Sequence, residues 1–200
     1  MNAKTWAGML VFVLAASSAG AQTLCASAEQ AAQVREYLLE NPGTQPAIVA
    51  VRLGLPEALV VSALDKAQAA ATSGAAFPEV WKAMEIWDQA SFMIMKEANV
   101  FEILSSVGKG KPSEVSQYFN IEYSQPLRGH LRPDLYASIY AVAIPVKDDV
   151  VSRGVIFYDA DGASVFAAFI SGDSMDTTPA EIAKFDAVMA MVREAPGVCP

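Results

Sequence analysis

Residues 155–171 read VIFYDADGASVFAAFIS, which is two apolar runs joined by a polar turn. The runs at 155–159 and 164–171 are rich in Val, Ile, Phe and Tyr, the residues that favour extended backbone. Asp159-Ala160-Asp161-Gly162 supplies the aspartates and the glycine that tight turns prefer. This stretch therefore predicts an antiparallel β-hairpin.

Further β-prone runs precede this hairpin. They cover residues 91–96, 100–106, 118–121 and 135–144. The first two flank Glu97-Ala98-Asn99 and are expected to form a second hairpin. The segment 108–112 carries Lys109 and Lys111 and is expected to be a basic loop. Together the runs predict a large antiparallel sheet.

Helical periodicity appears at both ends of the chain. Near the N-terminus it covers residues 27–40, 44–52 and 57–70. A small-residue stretch at 69–76 is expected to lead from these helices to a short helix that ends near Trp87. Near the C-terminus, Thr178, Pro179 and Glu181 form a capping signature ahead of a final amphipathic helix.

These elements predict an α+β fold with an N-terminal helical unit, a large antiparallel sheet and a closing C-terminal helix. We expect a signal peptide at residues 1–21, the helical unit at 22–75 and the sheet region at 76–200. The helical unit and the sheet region are expected to form one compact domain, because the chain length suits a single core.

The composition argues against a nucleic-acid partner. The formal net charge is −8, and an acidic surface repels phosphate backbones. The three N-terminal helices resemble a helix-turn-helix in their arrangement, but the third offers only Lys66 as a cation against Glu57 and Asp65. The sequence also lacks the GxGxxG, P-loop, GxSxG, HExxH and CxxCH fingerprints, so no motif supports an enzyme.

The first residues have the pattern of a cleavable secretory signal. Lys4 precedes an apolar run at 6–16, and Ala19 and Ala21 have the A-x-A spacing that signal peptidase recognises. We expect cleavage after Ala21 and a periplasmic or secreted protein. The run is shorter than the roughly 20 residues that span a bilayer, so stable membrane insertion is not expected. A lipoprotein signal ending at Cys25 fits less well, because a leucine occupies the position that requires a small residue.

The two cysteines, Cys25 and Cys199, lie near opposite ends of the chain. An even count without CxxC spacing in an exported protein is typical of a structural disulfide. We expect the two residues to pair and to tie the termini together. The alternative is two unpaired thiols on the terminal tails.

The single histidine of the sequence, His130, lies between Arg128 and Arg132 at the junction of a loop and a strand. One histidine does not build a multi-histidine metal site within one chain. It is a candidate ligand, and the two arginines are candidate partners for carboxylates of a bound molecule. The alternative is a loop histidine that is hydrogen-bonded to backbone.

Several segments together resemble the haem-utilization carrier family of the HutX and ChuX kind. The resemblance rests on residues 87–103, Tyr118-Phe119-Asn120-Ile121, Gly129-His130-Leu131-Arg132, 155–162 and Val165-Phe166. The helical segment with Tyr37-Leu38, Asn41-Pro42-Gly43 and Gly54-Leu55 also matches the start of that family. The similarity covers nearly all of the chain beyond the predicted signal.

The resemblance implies a haem-binding carrier, usually a homodimer, in which His130 is an iron ligand. Family members carry a second histidine where this chain has Met95, and a methionine thioether also ligates haem iron, although packing is an equally good role for it. Tyr118 and Tyr123 are alternative ligands. Arg128 and Arg132 are expected to bind the propionates.

Three functions follow from this resemblance. The first is a periplasmic haem-binding or haem-carrier protein in haem uptake or trafficking, with a haem transporter or receptor as partner. The second is a periplasmic binding module of the same fold that binds a different ligand or partner and not haem. Haem degradation is the third and has the least support, because no motif for binding a reductant is present. The family is generally cytosolic, so an exported member departs from it.

Overall fold

The structure is a computed structural model of the 200-residue chain. It describes residues 25–96, 99–146, 150–171 and 177–199. The predicted signal at residues 1–21 lies outside the described residues, as do Glu97 and Ala98 of the second predicted turn.

The described residues form five α-helices. These are α1 (Ala28–Glu40), α2 (Pro46–Leu53), α3 (Glu57–Ser62), α4 (Phe77–Met84) and α5 (Pro179–Glu194). A capping box begins α1, in which Ser27 and Gln30 each bond the other's backbone N–H. Gly54 ends α2 in the left-handed conformation, with φ of 65°, where a residue with a Cβ is disfavoured. Among the described residues, no helix has both the length and the apolar character needed to cross a bilayer.

The same residues form nine strands. These are β1 (Ala69–Ser73), β2 (Ala90–Lys96), β3 (Asn99–Ser105), β4 (Gly110–Pro112), β5 (Phe119–Ile121), β6 (Gly129–Leu131), β7 (Ser138–Pro145), β8 (Val151–Tyr158) and β9 (Ser164–Ser171). Six of them form one antiparallel sheet in the order β1-β7-β8-β9-β2-β3, and β4-β5-β6 form a second, small sheet. The predicted α+β fold is confirmed.

The hairpin predicted at 155–171 is β8 and β9. The side chain of Asp159 closes the turn, since its Oδ1 accepts hydrogen bonds from the N–H groups of Asp161 at 3.0 Å and Ala163 at 2.9 Å. Gly162 takes φ of 76°, a left-handed conformation that favours glycine. The carbonyl of Gly162 then accepts from the N–H of Ala58 at 3.0 Å, so the turn also holds the start of α3.

Both faces of the large sheet are covered, which explains why its central strands are apolar almost throughout. The first face packs against α4, α5 and the small sheet. Its buried residues are Ile139, Ala141, Val155, Phe157, Phe166, Ala168 and Ile170. The second face packs against α3. Its buried residues are Tyr140, Val142, Ile144, Ile156, Tyr158 and Ala167.

Two expectations about residues 57–76 are wrong. Helix α3 ends at Ser62 and not near residue 70. The small-residue stretch expected as a connection forms β1, which pairs with β7 at the sheet edge, and then a short 3₁₀ turn. The alanines of β1 favour a helix in isolation, but pairing with β7 outweighs that preference.

Two smaller differences concern the strands before and after the candidate histidine. The expected basic loop at 108–112 includes the short strand β4, which pairs with β5. The strand expected from residue 135 begins at Ser138, because Pro133–Leu135 forms a 3₁₀ turn.

The two ends of the described chain are joined by a disulfide between Cys25 and Cys199. The pairing predicted from the sequence is therefore present in the structure. The Tyr140 hydroxyl lies 3.6 Å from the sulfur of Cys199, to which it is placed to donate. Helix α5 precedes this linkage, and the capping box of Thr178 and Glu181 predicted for it is also present.

Candidate functional site

The small sheet is held on the first face of the large sheet by apolar side chains. Phe119 and Ile121 of β5 are buried in the main core, and Leu131 of β6 packs against it. The indole Nε1 of Trp81 in α4 donates to the carbonyl of Gly108 at 3.2 Å. Gly110 has no room for a side chain, since a Cβ there would overlap the ring of Phe119. This packing fixes the position of the sheet.

The opposite side of the small sheet carries three polar residues in a row. Lys111, Asn120 and His130 are cross-strand partners in the register of β4, β5 and β6. Because side chains alternate along a strand, these three point away from the core that Phe119 and Leu131 enter. We call this set the outer row. His130 at its end is exposed.

The imidazole of His130 is held by two neighbours. Its Nδ1 lies 2.7 Å from Oδ1 of Asn120. The ring of Tyr118 packs against it edge-on, with the ring centroids 5.9 Å apart. The structure therefore brings together two of the predicted ligands, His130 and Tyr118.

Arg132 completes this surface. Its guanidinium lies 5.8 Å from the centroid of the Tyr118 ring, within the range of a cation–π contact. It donates from Nε and Nη2 to the two carboxylate oxygens of Asp134, at 2.8 and 2.6 Å. This hydrogen bonding raises the pKa of Arg132 and lowers the pKa of Asp134 from their ordinary values. Arg132 is thus already paired, although in a position open to solvent.

Met95 lies elsewhere. Phe92 and Ile94 of β2 pack on the first face, so Met93 and Met95 point to the second face by alternation. Met93 packs there in the cluster that contains Ala58 and Val61 of α3. Both methionines line a recess between the sheet and the helical unit. Within one chain, Met95 and His130 therefore lie on opposite sides of the large sheet. The structure does not bring this predicted ligand pair together.

The remaining predicted residues lie close to the outer row in sequence. Tyr123 is 69% exposed in the loop between β5 and β6. Arg128 is exposed immediately before β6. Among the described residues, no group of three or more His, Cys, Asp or Glu side chains is placed to hold a metal ion.

A sequence model of the family described as haem utilisation ChuX/HutX matches residues 70–194. The chain belongs to the ChuX/HutX haem utilisation family. The matched region includes the small sheet with the outer row and most of the large sheet.

The chain is also similar to three described proteins. The intracellular heme transport protein HutX of Vibrio cholerae is 24% identical over 158 residues, which are 78% of this chain and 80% of HutX. The crystal structure of ChuX superposes with a TM-score of 0.71 at 17% identity, covering 80% of this chain and 98% of that one. The heme degrading enzyme ChuS of Escherichia coli O157:H7 has a TM-score of 0.64 at 17% identity, covering 82% of this chain and 46% of ChuS.

Two residues of the outer row, Lys111 and Asn120, are absent from the sites predicted from the sequence. The sequence predicts a loop for Lys111 and gives Asn120 no role beyond the Tyr118-Phe119-Asn120-Ile121 run. Their positions beside His130 depend on the register of three short strands. The available signal was the polar residue between two buried apolar ones, Phe119 and Ile121, which is typical of the exposed side of a strand.

Proposed function

We propose that this protein is an exported haem-binding carrier that holds haem at the outer row. The observation that carries the proposal is an exposed histidine, oriented by Asn120 and flanked by Tyr118, in a chain of the ChuX/HutX haem utilisation family. Histidine and tyrosine are both haem-iron ligands in proteins.

The chemistry of the surface fits a flat amphiphilic ligand with two carboxylates. Tyr118, which packs against His130, leaves apolar surface exposed, at 44% exposure. Lys111 lies two strands from His130, a separation of about 10 Å. Arg132, which directly follows β6 and lies over the Tyr118 ring, provides a second cation. Haem bound there would supply the iron that the imidazole ligates.

Within this proposal His130 is the main iron ligand and Tyr118 is the second candidate. Met95 remains a candidate only for a different arrangement, since it faces the recess on the second face. Arg132 and Arg128 are proposed to contact the propionates, with Lys111 added from its position in the outer row.

The test is the absorption spectrum of the haemin-loaded protein compared across two variants. His130→Ala is expected to alter or abolish the Soret band of bound haemin, whereas Met95→Leu, the matched control on the second face, is expected to leave it unchanged. An altered Soret band in Met95→Leu with an unchanged band in His130→Ala would place the haem in the recess on the second face. An unchanged spectrum in both variants would remove both ligands from the proposal.

A second candidate function is a binding module that holds an apolar ligand other than haem in the recess. The observation in its favour is the lining, which combines Met93, Met95 and Phe169 of the sheet with Pro46 of the helical unit. Burial raises the pKa of Glu57 at this recess, so its carboxyl tends toward the neutral form. This function would be favoured by two results. The wild type would show no Soret shift on adding haemin, and the fluorescence of bound 1-anilinonaphthalene-8-sulfonate would be lower in Met93→Lys than in the wild type.

We propose a periplasmic or secreted location. The support is the A-x-A pattern that ends at Ala21, together with a disulfide of the kind that persists in oxidising compartments. The similar HutX is described as intracellular, so export would distinguish this chain from it. N-terminal sequencing of the protein from the periplasmic fraction of an expressing bacterium is expected to begin at Gln22. Recovery of an intact N-terminus in the cytoplasmic fraction would contradict export.

We also propose that the protein forms a homodimer through the edge strand β3. Val100, Phe101 and Leu104 on this strand are 54%, 58% and 59% exposed, which is unusual for large apolar side chains at an open sheet edge. ChuS is long enough to contain two such units, since this chain covers 46% of it. In light scattering, Leu104→Glu is expected to yield monomer and Leu39→Glu, a control on α1, to leave the dimer intact. A monomeric wild type would contradict the proposal.

We propose a carrier and not a haem-degrading enzyme, with a haem transporter or receptor as its partner. The similar HutX is described as a transport protein. The described degrading enzyme, ChuS, is matched over less than half of its length. The Soret band of the haemin complex is therefore expected to persist after an electron donor is added in air. Its loss with formation of an open-chain tetrapyrrole would contradict the carrier assignment.

A further inference from the structure

We infer that Asn120 is a positioning residue that holds His130 as the tautomer with its proton on Nδ1 and its lone pair on Nε2. This inference rests on the proposed function for its purpose, since Nε2 would then be the iron ligand. The tautomer itself is a property of the protein without haem.

The hydrogen bond between the two side chains determines the proton's position. The Asn120 oxygen Oδ1, which lies 2.7 Å from Nδ1 of His130, accepts hydrogen bonds and has no proton to donate. With the Asn120 amide in this orientation, Nδ1 of a neutral ring carries the proton, whereas a reversed amide would donate from Nδ2 to an unprotonated Nδ1. The neutral imidazole has one protonated nitrogen, so the lone pair is left on Nε2.

The strands hold Asn120 firmly in place for this role. Its backbone lies between Lys111 on β4 and His130 on β6, in the middle of the three-stranded register. Phe119 and Ile121 on either side of it are buried, so the backbone of β5 is fixed with the Asn120 side chain on the outer side of the small sheet.

Tyr118 limits the other motion that would break the arrangement. Its ring packs edge-on against the imidazole, and Arg132 lies over the Tyr118 ring. A flip of the imidazole would exchange its two nitrogens and lose the bond to Asn120. The geometry is that of metal-binding histidines whose second nitrogen donates to an oxygen, a contact that commonly changes metal affinity by about 10- to 100-fold.

The alternative explanation is that Asn120 and His130 form an ordinary cross-strand polar pair that stabilises the small sheet. The two explanations differ in what happens when the acceptor is kept or removed. Asn120→Asp keeps an acceptor oxygen opposite Nδ1, whereas Asn120→Leu removes it while keeping a side chain of similar size.

The test is a long-range ¹H–¹⁵N correlation spectrum of the ¹⁵N-labelled full chain without haem, recorded with the ring neutral. His130 is the single histidine of the sequence, so its two ring nitrogens are assigned without ambiguity. We expect the Nδ1–H tautomer in the wild type and in Asn120→Asp, and a loss of that tautomer in Asn120→Leu. An Nε2–H tautomer in the wild type, or an unchanged tautomer in Asn120→Leu, would overturn the inference.

A haemin titration of the same three proteins gives the second readout. We expect Asn120→Leu to weaken haemin binding by about tenfold or more and Asn120→Asp to restore most of it. Thermal unfolding of Asn120→Leu shows whether the variant is folded, and Asn120→Asp keeps the test usable if it is not. If the tautomers behave as expected and the wild type binds no haemin, the proposed function fails and this inference stands. If His130 binds haemin but its tautomer is unchanged in Asn120→Leu, this inference fails and the proposed function stands.

Discussion

Breaking the Cys25–Cys199 disulfide is expected to destabilise the protein more than any single substitution considered above. The bond joins the residue just ahead of α1 to the tail that follows α5. On the N-terminal side, the N–H of Ala26 donates to the Ser62 hydroxyl of α3 at 2.9 Å. Besides the disulfide, the tail is held by a hydrogen bond from the Thr72 hydroxyl to the carbonyl of Pro196 at 3.5 Å and by the contact of the Tyr140 hydroxyl with the sulfur of Cys199.

The magnitude follows from the length of the loop that the disulfide closes. The two cysteines are 174 residues apart in sequence. In the chain-entropy description, closing a loop of this length stabilises the folded state by about 5 kcal/mol at 25 °C. Measured effects are often smaller because the denatured chain keeps some structure, so we expect a loss of about 3–5 kcal/mol on reduction.

The assay is equilibrium unfolding in urea, with and without a reducing agent. The Cys25→Ala/Cys199→Ala double variant is the matched control: it should match the reduced wild type, and the reducing agent should not affect it. A loss below about 1 kcal/mol would refute the loop-length reasoning. A steeper dependence of the free energy of unfolding on urea concentration after reduction would support the loop-length explanation, because the unconstrained denatured chain exposes more surface.

Three further predictions concern single side chains. Gly110→Ala is expected to lower the free energy of unfolding by about 1–3 kcal/mol, measured in urea, because the new methyl group overlaps a buried aromatic ring. Glu57→Gln can keep the hydrogen bond from Tyr158 and is expected to stabilise the protein at neutral pH. In the wild type, stability is expected to decline as the pH rises above 4.5, and the variant is expected to lose this decline in thermal unfolding measured across pH. Asp134→Asn is expected to tighten haemin binding by up to about fivefold in a Soret titration, because it frees Arg132 from its ion pair.

The sign of the Glu57 prediction follows from its environment. Burial raises the pKa of Glu57 in the folded protein, so the folded state binds more protons than the unfolded one above the ordinary value of 4.5. Stability therefore falls as the pH rises through the folded pKa. An identical pH dependence in Glu57→Gln would show that this carboxyl contributes nothing. An unchanged unfolding midpoint in Gly110→Ala would contradict the first prediction. A weakened haemin affinity in Asp134→Asn would contradict the third.

Local sequence chemistry was enough for the elements whose signals are local. The β8–β9 turn carries its own Asp159 and Gly162, and α5 begins at a capping box that is visible in four residues. These signals do not depend on the rest of the chain. The edge strand β1 was missed because its alanines favour a helix, and only its distant partner β7 makes it a strand.

The candidate site could be predicted only in part for a similar reason. His130 lies on β6 and Arg132 directly follows the end of that strand, so a shared side is expected from their spacing of two residues. The contacts of His130 with Tyr118 and Asn120 depend on the pairing of β5 with β6, which the sequence does not reveal. Met95 was expected beside His130, yet the side of the sheet on which it lies depends on what packs against each face.

Haem binding at the outer row is tested most sharply by the ratio of haemin dissociation constants between His130→Ala and the wild type, from parallel Soret titrations. We expect saturable binding by the wild type and a dissociation constant at least tenfold larger for the variant, because the imidazole supplies the iron ligand. Equal dissociation constants for the two proteins would contradict haem binding at the outer row, whatever their absolute affinity.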